Sequence, residues 1–442
     1  MPRRDEDGAV DSDRTRHDLH ADRESARERD RADPLSEFRQ RFEIPDAHYA
    51  AGNSLGPISD AAEASLQRAI DQWRDLAVRG WTEAEPPWFW YGERLGEQLA
   101  PVVGAEPAEV VVANSTTVNI HTLIGTFLDG CGRDDPTGVL VNELDFPTDH
   151  YAIRAQLRQR ELDPDAHLHV VESRDGRTIR TDDVVAAMDA HDVGIVFMPS
   201  VLYRSGQLLD VEAITAAAHE RGILAGFDLA HSIGVVPHQL SEIGVDFAVW
   251  CSYKYLNAGP GAVAGLYVNE RHFDETPALA GWWGHEKGTQ FEMNLEYTPA
   301  AGAGAWQSGT IPVFSAAPLF GALELVNEAG IEAIRQKSIA LTSYLIALAD
   351  DRLADRGVAV GTPREPARRG GHVALEHPEA GRLSEALRDH GVIVDYRPPN
   401  VIRVAPSPLY TSFEAVFDVV DLLAELLADR RYEAYDAESE VT

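Results

Sequence analysis

The sequence predicts an α/β protein with a mostly parallel sheet, followed by a smaller α+β unit. Three observations predict it. Short apolar runs of strand length alternate with helix-like stretches between residues 109 and 268. Several of these runs end in polar residues that open a helix or turn. After residue 316, two long helical stretches give way to short strands set around further helices.

The elements follow in order. Residues 1–33 read as a disordered charged tail: 11 acidic and 8 basic residues leave too little apolar surface to offset ordering. Helical spacing appears at 58–77, after the turn Asn53-Ser54-Leu55-Gly56-Pro57, and again near 88–100. Strands are expected at 109–113, 138–142, 194–198, 223–228, 246–251 and 262–268. Helices are expected at 116–128, 149–160, 211–221 and 232–243. Further helices fall at 316–328 and 330–354. A strand near 372–376, a helix at 381–390, strands near 392–396 and 401–404 and a helix at 412–429 complete the chain. The organisation expected is a tail (1–33), an N-terminal segment packing on both domains (34–95), a large domain (96–311), a small C-terminal domain (312–432) and an acidic tail (433–442).

Composition excludes several functions. The formal net charge of −33 carries no basic patch for nucleic acid. No apolar run reaches membrane-spanning length, and the N-terminus lacks the apolar stretch of a secretory signal, so a cytoplasmic protein is expected. Two cysteines, Cys131 and Cys251, make no disulfide framework, and Cys251 reads as a buried structural thiol. Only three lysines, Lys254, Lys287 and Lys337, stand against 36 arginines. The acidic excess reads as adaptation to a salty, halophilic cytoplasm, because molar salt shortens the Debye length to roughly 3 Å and screens self-repulsion. Melting temperature and activity are therefore expected to fall below about molar salt. A melting temperature unchanged from low to several-molar salt would contradict this.

Ligands of open α/β sheets bind beyond the carboxyl ends of the strands. After Val111-Val112-Ala113 comes Asn114-Ser115-Thr116-Thr117, a helix start able to hold an anion, though equally a simple cap. After Val139-Leu140-Val141 comes Asp145-Phe146-Pro147-Thr148-Asp149, whose Phe could stack on a planar ligand or pack in a turn. Asp228 ends an apolar run, with His231 three residues on. A carboxylate there needs a partner, and a pyridinium nitrogen is one. After the next strand comes Ser252-Tyr253-Lys254-Tyr255-Leu256-Asn257-Ala258-Gly259. In a chain that carries its surface charge on Arg, a remaining Lys points to chemistry Arg cannot do, because an imine needs a primary amine.

The acid one strand before the lysine resembles the aspartate aminotransferase-like fold of pyridoxal 5'-phosphate (PLP) enzymes, fold type I, with a mostly parallel seven-stranded-type sheet. Five stretches resemble kynureninase: Gly52–Pro57, Phe227–His231, Trp250–Gly259, Gly281–Glu286 and Arg403–Pro406. The resemblance runs from about residue 35 to 430. It implies PLP-dependent hydrolysis of L-kynurenine, and of its 3-hydroxy form, to anthranilate (or 3-hydroxyanthranilate) and L-alanine, within tryptophan catabolism and NAD biosynthesis. It implies that Thr116 and Thr117 hold the phosphate and ring edge, that Phe146 stacks on the ring, and that Asp149 lies near the ring substituents. Asp228 pairs with the ring nitrogen, supported by His231. Tyr253 binds phosphate and shuttles protons, and Lys254 carries the cofactor. Trp282 and Thr310 come from the neighbouring subunit of a homodimer. Arg403, His285 and Asn53 meet the substrate. No metal, nucleic-acid or membrane partner is expected. Where the family has a hydroxyl residue after the strand at 194–198, this chain has Pro199 followed by Ser200. Gly309-Thr310 resembles the bacterial type, which prefers kynurenine over its 3-hydroxy form. The alternatives are a cysteine desulfurase-like lyase or aminotransferase of the same fold, and a non-catalytic binding protein. A desulfurase needs a nucleophilic Cys near the C-terminal domain, and no Cys follows Cys251.

Overall fold

The computed structural model describes residues 21–45, 47–130 and 138–436. The acidic tail beyond 436 and Cys131 lie outside these residues. A seven-stranded sheet forms the centre of the large domain. Its strands are β1 (Val110–Val112), β2 (Gly138–Asn142), β3 (Leu168–Val171), β4 (Val193–Pro199), β5 (Leu224–Asp228), β6 (Phe247–Trp250) and β7 (Gly265–Val268). Their spatial order is β1-β7-β6-β5-β4-β2-β3, and β7 alone runs antiparallel to its neighbours. Every residue of β2, β4 and β6 is buried, which is why they read as unbroken apolar runs.

The carboxyl ends of the parallel strands gather the site. Pro199 pairs in register with Asp228, and Asp228 with Val249, so three strand ends meet at one edge. Helices follow directly at Thr116–Gly130 and Pro147–Gln159. Three elements differ from expectation in this domain. β3 and the helix Thr181–Ala190 are additional. Of the helix expected at 232–243, only Leu240–Ile243 forms, because Gly234 turns the chain at φ +79° and Pro237 supplies no N–H.

The small domain is a four-stranded antiparallel sheet. In spatial order its strands are β10 (Asp395–Arg397), β11 (Val401–Val404), β9 (Val373–Glu376) and β8 (Ala359–Val360). Helices Ile331–Arg352, Ala380–Asp389 and Phe413–Ala428 pack around it. The expected boundary at 311/312 is corrected. Helix Val313–Ala329 packs on helix Asp60–Leu76 and shares the sheet's core. The core changes hands inside the next helix, where Ile334 belongs to the large domain and Leu341 to the small one.

The N-terminal segment touches both domains. His48–Tyr49 pairs in parallel with Val392–Ile393, and Ala51 bridges to Ala405. This pairing sets the following residues, Asn53 and Ser54, against the end of β11.

The tail reading of residues 1–33 is also corrected for the part described. Arg23–Ala32 is a helix, capped where Asp22 Oδ1 accepts the Ser25 N–H at 2.8 Å. Ala26 is buried in the small-domain core. Asp30 accepts the N–H groups of Phe413 (2.7 Å) and Glu414 (3.0 Å), capping the helix beneath. Arg23 meets Asp418 at 2.7 Å, and Lys337 meets the buried Asp33 at 2.6 Å. Composition pointed to disorder because it counted charges as solvated, whereas here they find partners on the chain.

Candidate active site

One cavity of about 220 Å³ lies between the carboxyl edge of the large sheet and the small domain. Asn53, Thr116, Thr117, Phe146, Asp228, His231, Tyr253, Lys254 and Arg403 line it, so nine of the expected site residues meet there. Ser54, Thr148, Cys251 and Arg397 line it as well and were not anticipated. A larger groove of about 700 Å³ runs past Thr181, Val211 and His238, but it holds no lysine and none of the expected residues.

Each strand end delivers its side chain. Lys254 follows β6, and its Nζ lies 2.8 Å from His231 Nε2 and 6.0 Å from the centroid of the Phe146 ring. Burial and the neighbouring Lys254 hold the His231 pKa well below the usual histidine range, so the ring is neutral. Asp228 Oδ1 accepts the Ala230 N–H at 2.7 Å. Burial raises the Asp228 pKa, and Lys254 opposes the rise.

Asp149 is fully buried and neither carboxylate oxygen has a hydrogen-bond partner. Burial, then Asp228 and Asp145, push its pKa well above the carboxylate range. Burial likewise raises the Tyr253 phenol, so it keeps its proton at neutral pH. Thr117 Oγ1 is 3.0 Å from Thr148 Oγ1, which ties two helix starts together. Ser200 does not line the cavity. Its N–H donates to the Asp228 carbonyl at 2.8 Å, and its Oγ is 2.7 Å from Ser232 Oγ, which is 2.9 Å from His238 Nε2. Ser200 therefore braces the Asp228 backbone from behind.

The small domain closes the cavity with Arg403, whose side chain is 1% exposed. Arg403 Nη1 donates to the Tyr203 carbonyl at 2.6 Å, and Nη2 donates to Asp395. Asn53 is fully buried, yet both polar atoms of its amide lack partners. A buried unpaired amide costs about 1–3 kcal/mol, so its presence at a cavity wall fits a polar ligand.

Four expected residues do not line this cavity: Asp149, buried as described above, and Trp282, His285 and Thr310. Trp282 is 47% exposed, and its indole N–H donates to the Gln290 carbonyl at 3.3 Å. His285 Nδ1 accepts the Thr298 N–H at 3.2 Å. Thr310 is exposed.

The comparisons with known proteins bear on this arrangement. The kynureninase of Geobacillus thermodenitrificans is 49% identical over 419 residues, which is 95% of this chain and 97% of that protein. The chain belongs to the kynureninase family. The kynureninase of Bacillus anthracis is likewise 49% identical, with the same coverage. Residues 334–423 match the family model of the kynureninase C-terminal domain. The same fold occurs in a cysteine desulfurase from Thermococcus onnurineus, with a TM-score of 0.73 at 18% identity over 91% of this chain and 98% of that one. It also occurs in the enzyme C-DES, solved with glycine covalently linked to its PLP cofactor, with a TM-score of 0.73 at 18% identity over 87% and 98% of the chains. At that identity these two neighbours share fold alone, whereas the kynureninase family match spans sequence as well.

The residues present fit PLP. Asp228 ends β5 at the cavity beside Lys254, and a carboxylate there favours a protonated ring nitrogen, while Asp149 is buried nearby with both oxygens unpaired. The start of helix Thr116–Gly130 brings Thr116 and Thr117 to the cavity wall, and a helix N-terminus there suits a phosphate.

Proposed function

We propose that this chain hydrolyses L-kynurenine with PLP, adding water across the Cβ–Cγ bond to give anthranilate and L-alanine, as a step of tryptophan catabolism. The observation that carries the reading is Lys254 facing Asp228 and Arg403 across one cavity, in a chain of this family. Bound PLP supplies an electron-poor ring that accepts the electron pair released at the substrate Cα.

The chain's own groups do the rest. Thr116, Thr117 and the helix N-terminus hold the phosphate. Phe146 covers the ring face, Asp228 pairs with the ring nitrogen, and His231 orders Lys254. Asp149, whose carboxyl burial pushes well above the usual carboxylate range, lies near the ring substituents. Arg403 holds the substrate carboxylate and Asn53 takes a polar group of the substrate. The Lys254 amine carries the cofactor, and it takes the α-proton and returns it to a neighbouring carbon. Tyr253 keeps its proton at neutral pH and serves as acid and base at the γ-carbonyl. The oxygen of the added water ends in the anthranilate carboxylate.

The test is product analysis in molar salt with L-kynurenine. Anthranilate fluorescence and alanine in equal amounts are expected. No anthranilate, with sulfide released from cysteine instead, would favour the desulfurase-like reading. The Gly309-Thr310 pair supports kynurenine over its 3-hydroxy form as the better substrate.

The reading includes a cytoplasmic homodimer with shared sites. Trp282, Thr310 and His285 then reach the partner's cofactor and the substrate's aromatic ring. Phe291, whose ring lies 5.6 Å from that of Trp282, is 69% exposed, which supports a protein partner on this face. Mixing inactive Lys254→Ala protomers with Trp282→Ala protomers should restore activity beyond the sum of the two, because one site of the mixed dimer is intact. A monomer fully active at nanomolar concentration would contradict shared sites.

A further inference from the structure

The small domain brings two guanidinium groups to the cavity, not one. Arg397 and Arg403 both line it. They lie on adjacent antiparallel strands, with Asp395 directly opposite Arg403. Asp395 is fully buried, and its carboxylate is divided between them. Oδ1 lies 2.8 Å from Arg397 Nη1, and Oδ2 accepts from Arg403 Nη2 and from Arg397 Nη2 at 3.2 Å. The Arg397 side chain stays 17% exposed, while that of Arg403 is 1% exposed.

The charge count decides what this arrangement can do. Asp395 and Arg403 alone would be a neutral pair. A substrate carboxylate reaching Arg403 would then also approach the Asp395 carboxylate, and like charges repel strongly where water is excluded. Arg397 changes the balance, because two guanidinium groups on one carboxylate leave a surplus positive charge. The surplus matters more in a chain of net charge −33, whose overall field repels anions.

We propose that Asp395, Arg397 and Arg403 act as one clamp for the α-carboxylate of the substrate. Asp395 is its positioning residue, and Arg397 is the second guanidinium on the carboxylate. The proposal rests on the amino-acid substrate of the preceding section.

Arg397→Gln is the main test, because it leaves the Asp395–Arg403 pair in place. KM for L-kynurenine should rise at least about tenfold while kcat moves less than about threefold. The uncharged carboxamide of kynurenine should bind wild type more weakly than kynurenine does, and the variant should lose most of that preference. A merely structural role would weaken both compounds alike. Asp395→Asn leaves more positive charge but frees both guanidinium groups from the carboxylate that positions them, so kcat should fall at least about threefold without the rise in KM, with cofactor absorbance retained. An unchanged KM in Arg397→Gln, or equal losses for both compounds, would overturn the clamp. Failure of the proposed function would show separately, as wild type that releases no anthranilate. The clamp is then read from L-alanine titrated against the absorbance of the PLP-loaded enzyme, where Arg397→Gln should still weaken binding at least about tenfold. Equal alanine affinity in wild type and variant would overturn it.

Discussion

Lys254→Arg should lose turnover by about 10²–10⁴-fold or more, the share that a positioned proton-transfer group supplies, while the fold is retained. The substitution keeps a positive charge but removes the primary amine. Lys254 Nζ has His231 at 2.8 Å and the Phe146 ring at 6.0 Å, so nothing in the core depends on it. The melting temperature of the variant should stay near that of wild type, and anthranilate release should vanish from the fluorescence assay. Turnover within tenfold of wild type would assign the proton transfers to another group.

Arg403→Lys should cost kcat/KM at least roughly tenfold, because losing a buried charge-assisted pair costs about 2–5 kcal/mol. Arg403 spans from the Tyr203 carbonyl, at 2.6 Å, to the Asp395 carboxylate. A single ammonium cannot hold both and also meet a substrate carboxylate in two parallel hydrogen bonds. The variant should still bind PLP and show its yellow absorbance, since Arg403 touches none of the residues assigned to the phosphate or ring nitrogen. Near-normal kcat/KM for kynurenine would show that another residue orients the carboxylate.

How far the sequence reaches depends on what each residue faces. β2, β4 and β6 are legible because all their residues are buried and, Asn142 apart, apolar. β3 is not, because it sits at the sheet edge as a strand of four residues whose run His169 interrupts. Lys254 and Asp228 are legible because a polar residue just after a buried strand has few other reasons to be there. Lysine scarcity, by contrast, is a weaker marker than it looks. Lys287 is buried too, its Nζ 4.5 Å from the Trp283 ring, 4.6 Å from Phe89 and 3.6 Å from Glu93, and Lys337 pairs with buried Asp33. All three lysines are held where a compact ammonium fits, and only Lys254 opens on the cavity. Arg397 escaped notice because its role follows from the β10–β11 pairing, which places Asp395 opposite Arg403 across a turn. The helix Arg23–Ala32 escaped for the same kind of reason: its charges look solvated until Glu414, Asp418 and the start of helix Phe413–Ala428 are seen beneath them.

The central claim is that Lys254 carries the cofactor in a cavity it shares with Asp228 and Arg403. Borohydride reduction of the PLP-loaded enzyme, followed by peptide mapping, tests it most directly. The pyridoxyl label should fall on the peptide containing Tyr253-Lys254-Tyr255 and on no other. Label on Lys287 or Lys337 would contradict it.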